Sequence, residues 1–143
     1  MTTSTRTTRR AAAPGEARGV SFLASVTSLD EARLAVAGGA DIVDAKNPAA
    51  GALGALPLET IRAIRGALPG IALSATVGDP VADPARTIAA VTATAATGVD
   101  FVKVGFTRGA VTRETIARLG TLMLPPCRLV GVLIADHGID IDD

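Results

Sequence analysis

Five short runs of β-forming residues recur along this chain, mostly about 30 residues apart, and each gap between them carries the marks of a helix. The runs are Val20 to Val26, Asp41 to Ala45, Ile71 to Val77, Asp100 to Gly105 and Arg128 to Ala135. Such spacing leaves room for a helical crossover that returns the chain to begin the next strand in the same direction, and these crossovers are right-handed. The strands should therefore pair in parallel. Their near-continuous Val, Ile, Leu and Ala fits burial on both faces better than the strict alternation of a sheet with one wet face.

The helical gaps are punctuated at both ends. The first opens with Ser28-Leu29-Asp30-Glu31, a capping box in which Ser28 and Glu31 satisfy free backbone amides, and ends at Gly38-Gly39. The second begins near Pro57, sets Leu58, Ile61, Ile64 and Leu68 on one face, and stops at Pro69-Gly70. The third starts at Asp83-Pro84 and closes at Gly98. The fourth should run from about Thr112 to Leu124, with Ile116, Leu119 and Met123 inward, until Pro125-Pro126 stops it.

Two architectures repeat a strand and a helix in this way, the open doubly wound sheet and the closed eight-unit barrel. No G-x-G-x-x-G follows the first strand, where Ala24-Ser25-Val26-Thr27-Ser28 stands instead, so a dinucleotide site is disfavoured. The expected fold is α/β, a parallel TIM-type β/α barrel of which residues 20–143 form about the first five units. Residues 1–19, rich in Thr, Ala and Arg, read as a disordered tail: they lack the amphipathic stripe of an organelle-targeting peptide and the apolar core of a secretion signal.

Composition narrows the function. Fourteen basic residues balance fourteen acidic ones, so no overall positive field points to nucleic acid and no charge block to an anionic membrane surface. Apolar stretches are interrupted well before the length of a membrane span. A single cysteine, Cys127, rules out an intramolecular disulfide and a thiolate metal cluster, and suits a reducing cytoplasm. The expected partner is a small molecule, and no metal or cofactor site is indicated.

In a β/α barrel the chemistry sits at the carboxyl ends of the strands. There the chain presents Asp44-Ala45-Lys46-Asn47-Pro48, Ser74-Ala75-Thr76-Val77-Gly78-Asp79, Lys103-Val104-Gly105 and Asp136-His137. Twelve of the fourteen basic residues are arginine, and the only two lysines, Lys46 and Lys103, both fall at these strand ends. Arginine stays charged, whereas a desolvated lysine near another cation can become a neutral amine and attack a carbonyl. Two lysines converging on one cavity would supply a nucleophile and a proton carrier. Asp44, two residues before Lys46, points to the same side of its strand and could steer protons there. The plainer alternative is a pair of solvated rim lysines.

These same segments carry a family likeness. Gly38-Gly39-Ala40-Asp41-Ile42-Val43-Asp44-Ala45-Lys46-Asn47-Pro48, Gly51-Ala52-Leu53-Gly54, Leu73 to Asp79 and Asp100-Phe101-Val102-Lys103-Val104-Gly105, spaced in this order, closely resemble the (5-formylfuran-3-yl)methyl phosphate synthase family. The resemblance covers about Phe22 to Ala135. It implies a β/α barrel that condenses two molecules of glyceraldehyde 3-phosphate into a furan phosphate, the first step towards methanofuran, as a lysine-dependent lyase without a metal. It also implies that Lys46 forms the Schiff base with Asp44 beside it, and that Lys103 is the proton-accepting lysine. Family members are expected to continue for about three more strands, with a further aspartate and lysine and phosphate-gripping loops. The chain thus reads as a shortened member, either a catalyst or a non-catalytic homologue that binds a ligand or partner, and its open sheet edges favour a homo-oligomer.

The remaining candidates have ordinary readings. His137, without a second ligand at metal spacing, reads as a loop residue. Cys127 reads as a buried, inert thiol. Gly51 and Gly54 supply backbone freedom after the second strand or let amides approach a phosphate. Ser74 and Thr76 share a strand face, as cavity lining or as packing.

Overall fold

The computed structural model describes residues 19–124 and 126–134. Most of the expected tail lies outside them, as do His137 and the residues after 134.

Five strands and four helices alternate: β1 (Leu23–Val26), α1 (Leu29–Ala37), β2 (Ile42–Ala45), α2 (Leu58–Ala67), β3 (Ala72–Thr76), α3 (Pro84–Ala95), β4 (Phe101–Phe106), α4 (Ala110–Leu119) and β5 (Arg128–Leu133). A short 3₁₀ turn, Pro48–Ala50, follows β2. The sheet order is β1-β2-β3-β4-β5, with every pair parallel. Sequential order without a reversal is the single winding of a β/α repeat; a doubly wound sheet reverses its order at a switch point.

One face of the sheet holds the core. Val26, Val43, Ala45, Leu73, Ala75, Val102 and Val104 occupy alternate strand positions and join Ala32, Ile61, Ile64, Val91 and Leu119, at least one from each helix, in a single buried cluster. All four helices therefore cover the same face. The opposite face carries Ser25, Asp44, Ser74, Thr76 and Lys103, with Leu23, Ile42, Ala72 and Phe101 on the same face nearer the amino-terminal ends of β1 to β4. A polar stripe along the middle of a parallel sheet departs from the apolar filling expected there, and it locates the candidate site.

The caps follow the sequence signals. Ser28 Oγ accepts the Glu31 amide at 3.2 Å, and Glu31 Oε2 reaches back to the Thr27 amide at 2.6 Å and the Thr27 hydroxyl at 2.8 Å. Those bonds, the amide first, hold the Glu31 carboxyl below its ordinary range. Asp83 caps α3 through the Arg86 amide at 3.0 Å, with Pro84 in the first turn. Ile61 and Ile64 are fully buried, as the periodicity of α2 requires.

The fourth helix departs from expectation. It ends at Leu119, where Gly120 donates to Ile116 O at 2.9 Å, and tighter turns through Thr121 and Leu122 replace its continuation. Leu119 is buried, but Ile116 is 49% and Met123 86% exposed. The helix ends at Leu119, before the prolines, and Met123 falls beyond the helical stripe.

At the amino-terminal end of the sheet, Asp100 ties β3 to β4. Its Oδ2 accepts from Arg65 Nη1 at 2.9 Å and from the Leu73 amide at 2.8 Å, while Arg65 also donates to Leu68 O and Ile71 O. Asp100 is thus a structural clamp at the end of the strands remote from the lysines.

Candidate functional site

Asp44 is 1% exposed in the middle of the sheet. A buried carboxylate is costly unless it is paired and hydrogen-bonded, and here the neighbouring strands meet that requirement. Ser25, Asp44 and Ser74 share one register row across β1, β2 and β3. Ser74 Oγ donates to Asp44 Oδ1 at 2.5 Å, and Ser25 Oγ to Oδ2 at 3.3 Å. Lys103 Nζ reaches back from the next row of β4 to Oδ2 at 2.9 Å, its side chain 20% exposed. The carboxylate therefore has three donors from three strands.

Lys46 lies one residue past β2. Its backbone amide donates to Val26 O at 3.1 Å, so the ladder continues through it and its side chain falls on the face of Asp44. One row beyond the last β2–β3 pair, Lys46 is level with Thr76, and Thr76 is the register partner of Lys103. Two strand spacings put the Lys46 and Lys103 backbones ~10 Å apart, within the joint reach of two lysine side chains. The ion pair of Asp44 goes to Lys103 and not to Lys46. Lys103 stands two strands away on β4, level with Thr76, and reaches back across β3 to the carboxylate. Among the described residues Lys46 has no hydrogen-bonded or ionic side-chain partner.

The loop after β2 is fastened over the carboxyl ends of β3 and β4. Asn47 Oδ1 accepts the Ala49 amide at 3.1 Å, which starts the 3₁₀ turn, and the Asn47 amide donates to Gly54 O at 2.8 Å. The Leu53 amide donates to Asp79 Oδ1 at 2.7 Å, and the Gly78 amide to Leu53 O at 2.9 Å. Thr76, fully buried, donates to Gly54 O at 2.8 Å. A side chain on Gly51 would overlap the Asp79 carboxylate, and one on Gly54 would overlap Asn47 O. These glycines are demanded by close approach and, at Gly51, by a φ of +121°. The motifs around Lys46, Gly51, Thr76 and Lys103 are thus one hydrogen-bonded unit that aims two lysines and a carboxylate at the same face.

Ser25 carries no signal of its own in the sequence, and Asp79 shows there only as the end of a strand motif; both gain their roles from register and loop contact. Ser74 and Thr76 separate into different roles: Ser74 holds Asp44, and Thr76 holds the loop backbone. Cys127 is half-buried against the core, and burial pushes its thiol above its ordinary value. Among the described residues no helix is long and apolar enough to cross a membrane, and no group of three or more His, Cys, Asp or Glu could hold a metal ion.

A family model described as 4-HFC-P synthase matches residues 22–141. A Methylorubrum extorquens protein, provisionally named a (5-formylfuran-3-yl)methyl phosphate synthase, is 47% identical over 125 residues, which cover 85% of this chain and 49% of the relative. The (5-formylfuran-3-yl)methyl phosphate synthases of Methanocaldococcus jannaschii and Methanopyrus kandleri are 45% and 48% identical over 85 residues, 59% of this chain and 36% of each relative. The match thus spans about half the length of the Methylorubrum relative and about a third of the other two.

Proposed function

The chain belongs to the 4-HFC-P synthase family, and from that premise we propose that its Asp44, Lys46 and Lys103 carry out the carbonyl chemistry of a (5-formylfuran-3-yl)methyl phosphate synthase, a lyase. The observation that supports this reading best is the buried ion pair between Lys103 and Asp44, set on the sheet face that turns away from the helices. Singly wound order with helices on one face is also what the first units of a TIM-type barrel would show, and in a closed barrel that face would become the interior.

The roles divide by geometry. A Schiff base needs a neutral amine, and Lys46, outside the ion pair, is the better nucleophile for the aldehyde carbon of glyceraldehyde 3-phosphate. Its nitrogen adds to the carbonyl, and water leaves to give a protonated imine. The imine acidifies the neighbouring C–H; a base removes that proton, and the enamine carbon attacks the aldehyde of a second molecule. Lys103 carries protons in these steps, a role supported by its bond to Asp44, which holds it in position. Ring closure to the furan releases one inorganic phosphate and two waters in all, so the sum needs neither oxidant nor reductant. A reducing cytoplasm suits a chain whose one cysteine is a free thiol.

Borohydride reduction in the presence of glyceraldehyde 3-phosphate should trap an adduct on the peptide bearing Lys46. An adduct confined to the amino terminus, or none, would remove the Schiff-base reading and leave the non-catalytic homologue.

A further inference from the structure

Level with Lys46 on one side and Lys103 on the other stands Thr76, the middle residue of a row that runs across β2, β3 and β4. It is sealed from solvent, at 0% exposure. A buried hydroxyl is costly unless it is hydrogen-bonded, and this one is spent on the backbone around Lys46. Its Oγ1 donates to Gly54 O at 2.8 Å and lies 3.4 Å from Ala45 O. Ala45 is the residue before Lys46. Gly54 O also accepts the amide of Asn47, the residue after it, at 2.8 Å. The same hydroxyl therefore meets the chain on both sides of Lys46, directly on one and through a shared carbonyl on the other. Behind that carbonyl, the bonds of Leu53 to Asp79 and Gly78 hold the loop against the end of β3.

We infer that Thr76 is a positioning residue for Lys46: its hydroxyl fixes the path of the backbone as it leaves β2, and with it where the Lys46 amine stands relative to Lys103. The Lys46 amide is tied to Val26 O in the β1 ladder, so the sheet holds its amino side and the Thr76 hydroxyl holds its carboxyl side. Two long side chains that start from fixed points sample fewer arrangements than two of which one starts from a loose loop. An amine attacking a carbonyl carbon needs a near-attack distance and angle, so a shift on the order of 1 Å in its anchor is enough to slow the reaction. The inference deepens the proposed function and rests on it for the chemistry of Lys46; the positioning itself does not depend on that chemistry.

Thr76→Val deletes the hydroxyl at nearly constant shape, and Thr76→Ser keeps it. Two measurements on the 143-residue chain separate position from chemistry. Lys46 and Lys103 are the chain's only lysines, so a short amine cross-linker, difluorodinitrobenzene, joins them to an extent set by how often their amines meet. Borohydride trapping with glyceraldehyde 3-phosphate reads the nucleophile. In Thr76→Val the Lys46–Lys103 cross-link and the trapping rate at Lys46 should each fall about tenfold or more, whereas Thr76→Ser should hold both close to the parent's. Thr97→Val removes another buried hydroxyl bond, 2.6 Å long, after α3; it should change neither readout although it too lowers the melting temperature. A loss that Thr76→Ser does not recover, or that Thr97→Val matches, reduces Thr76 to packing and overturns the inference; so does a parent whose lysines do not cross-link. If Thr76→Val fails to fold, Thr76→Ala deletes the same bond without setting a methyl against Gly54 O, and must show the same loss. If the cross-link follows Thr76 while no aldehyde is trapped in any variant, the positioning stands and the Schiff base falls. If Lys46 is trapped equally in the parent and in Thr76→Val, with an unchanged cross-link, the Schiff base stands and the positioning falls.

Discussion

Lys103 Nζ lies 2.9 Å from Asp44 Oδ2 across a gap of 59 residues in sequence, and Asp44 is all but sealed from water. Removing one partner of a buried pair leaves the other without compensation, at about 3–5 kcal/mol when both are fully buried. Lys103 keeps 20% exposure, so solvent relieves part of that cost. Asp44→Asn should destabilise the chain by about 1–3 kcal/mol, and adding Lys103→Met should recover part of the loss. Urea midpoints at constant slope measure both. An additive double variant would mean that the pair contributes no coupling.

Ser74→Ala deletes the 2.5 Å bond to the other oxygen of the same carboxylate. A buried acceptor deprived of its donor costs about 1–3 kcal/mol. Ser25, exposed and at 3.3 Å, contributes less, and Ser25→Ala should shift the urea midpoint by under half as much. Equal shifts would show that the register row, and not the individual bond, fixes Asp44.

How much of this was legible in the sequence depends on how far apart the interacting residues lie. The strands, the capping by Ser28 and Asp83 and the burial of Ile61 and Ile64 rest on local periodicity, and the structure has them at the expected places. The lysines stood out because arginine carries nearly all the other positive charge. The role of Ser25 was hidden because a hydroxyl in Leu-Ala-Ser-Val reads as ordinary packing until β1 is set in register with β2. The role of Asp79, visible only as the end of a strand motif, was hidden because its partner lies 26 residues earlier in a loop. The end of α4 was misplaced because Pro125-Pro126 mark only where a helix must have stopped, whereas α4 ends at Leu119 and tighter turns follow.

Two glycine variants should move stability in opposite directions. Gly54→Ala drives a methyl into Asn47 O and the Ala50 backbone, which cannot yield without breaking the Asn47–Gly54 hydrogen bond. Gly66 lies exposed in α2 with open space around it, so Gly66→Ala removes only the conformational freedom of glycine. Gly54→Ala should cost about 2 kcal/mol or more, whereas Gly66→Ala should add about 0.5–1 kcal/mol. Thermal melts of the two variants beside the parent decide it; a neutral Gly54→Ala would show that the loop can open without loss.

Cys127 should react slowly with thiol reagents. Burial first, with the Asp100 charge adding to it, pushes its thiol above the ordinary value of 9.0, against a backbone hydrogen bond from Val102 that pulls the other way. The folded chain then holds this proton more tightly than the unfolded chain does. The contribution to stability is therefore complete below pH 9 and falls away as the pH rises above it. Iodoacetamide labelling against pH should give a midpoint above 9 for the native chain and near 9 in urea. Coincident midpoints would contradict the burial argument.

In a form of the protein that makes the furan phosphate, Lys103→Arg keeps the positive charge facing Asp44 but removes a group able to exchange a proton near neutral pH. Turnover should fall by ~10²-fold or more with little change in folding stability. Undiminished turnover would return Lys103 to a purely structural part in the sheet.

The outer strand predicts how the chain behaves in solution. β5 pairs with β4 on one side only, and among the described residues no strand lies beyond it. Leu129, Val130 and Leu133 are 38%, 37% and 68% exposed, so apolar side chains are open on both of its faces. An unpaired strand edge flanked by exposed apolar groups is a template for pairing with another chain. The 143-residue chain should therefore elute as an oligomer, at a multiple of 14.3 kDa by light scattering, and bind a hydrophobic dye. Lysine is the residue that blunts such edges, because pairing would bury its charge. Leu133→Lys together with Val130→Lys should shift the population to monomer and reduce dye binding, without unfolding a strand that contributes none of the fully buried core. A parent chain that is already monomeric and dye-silent would show that the β5 edge is covered, and the argument from its exposure would fail.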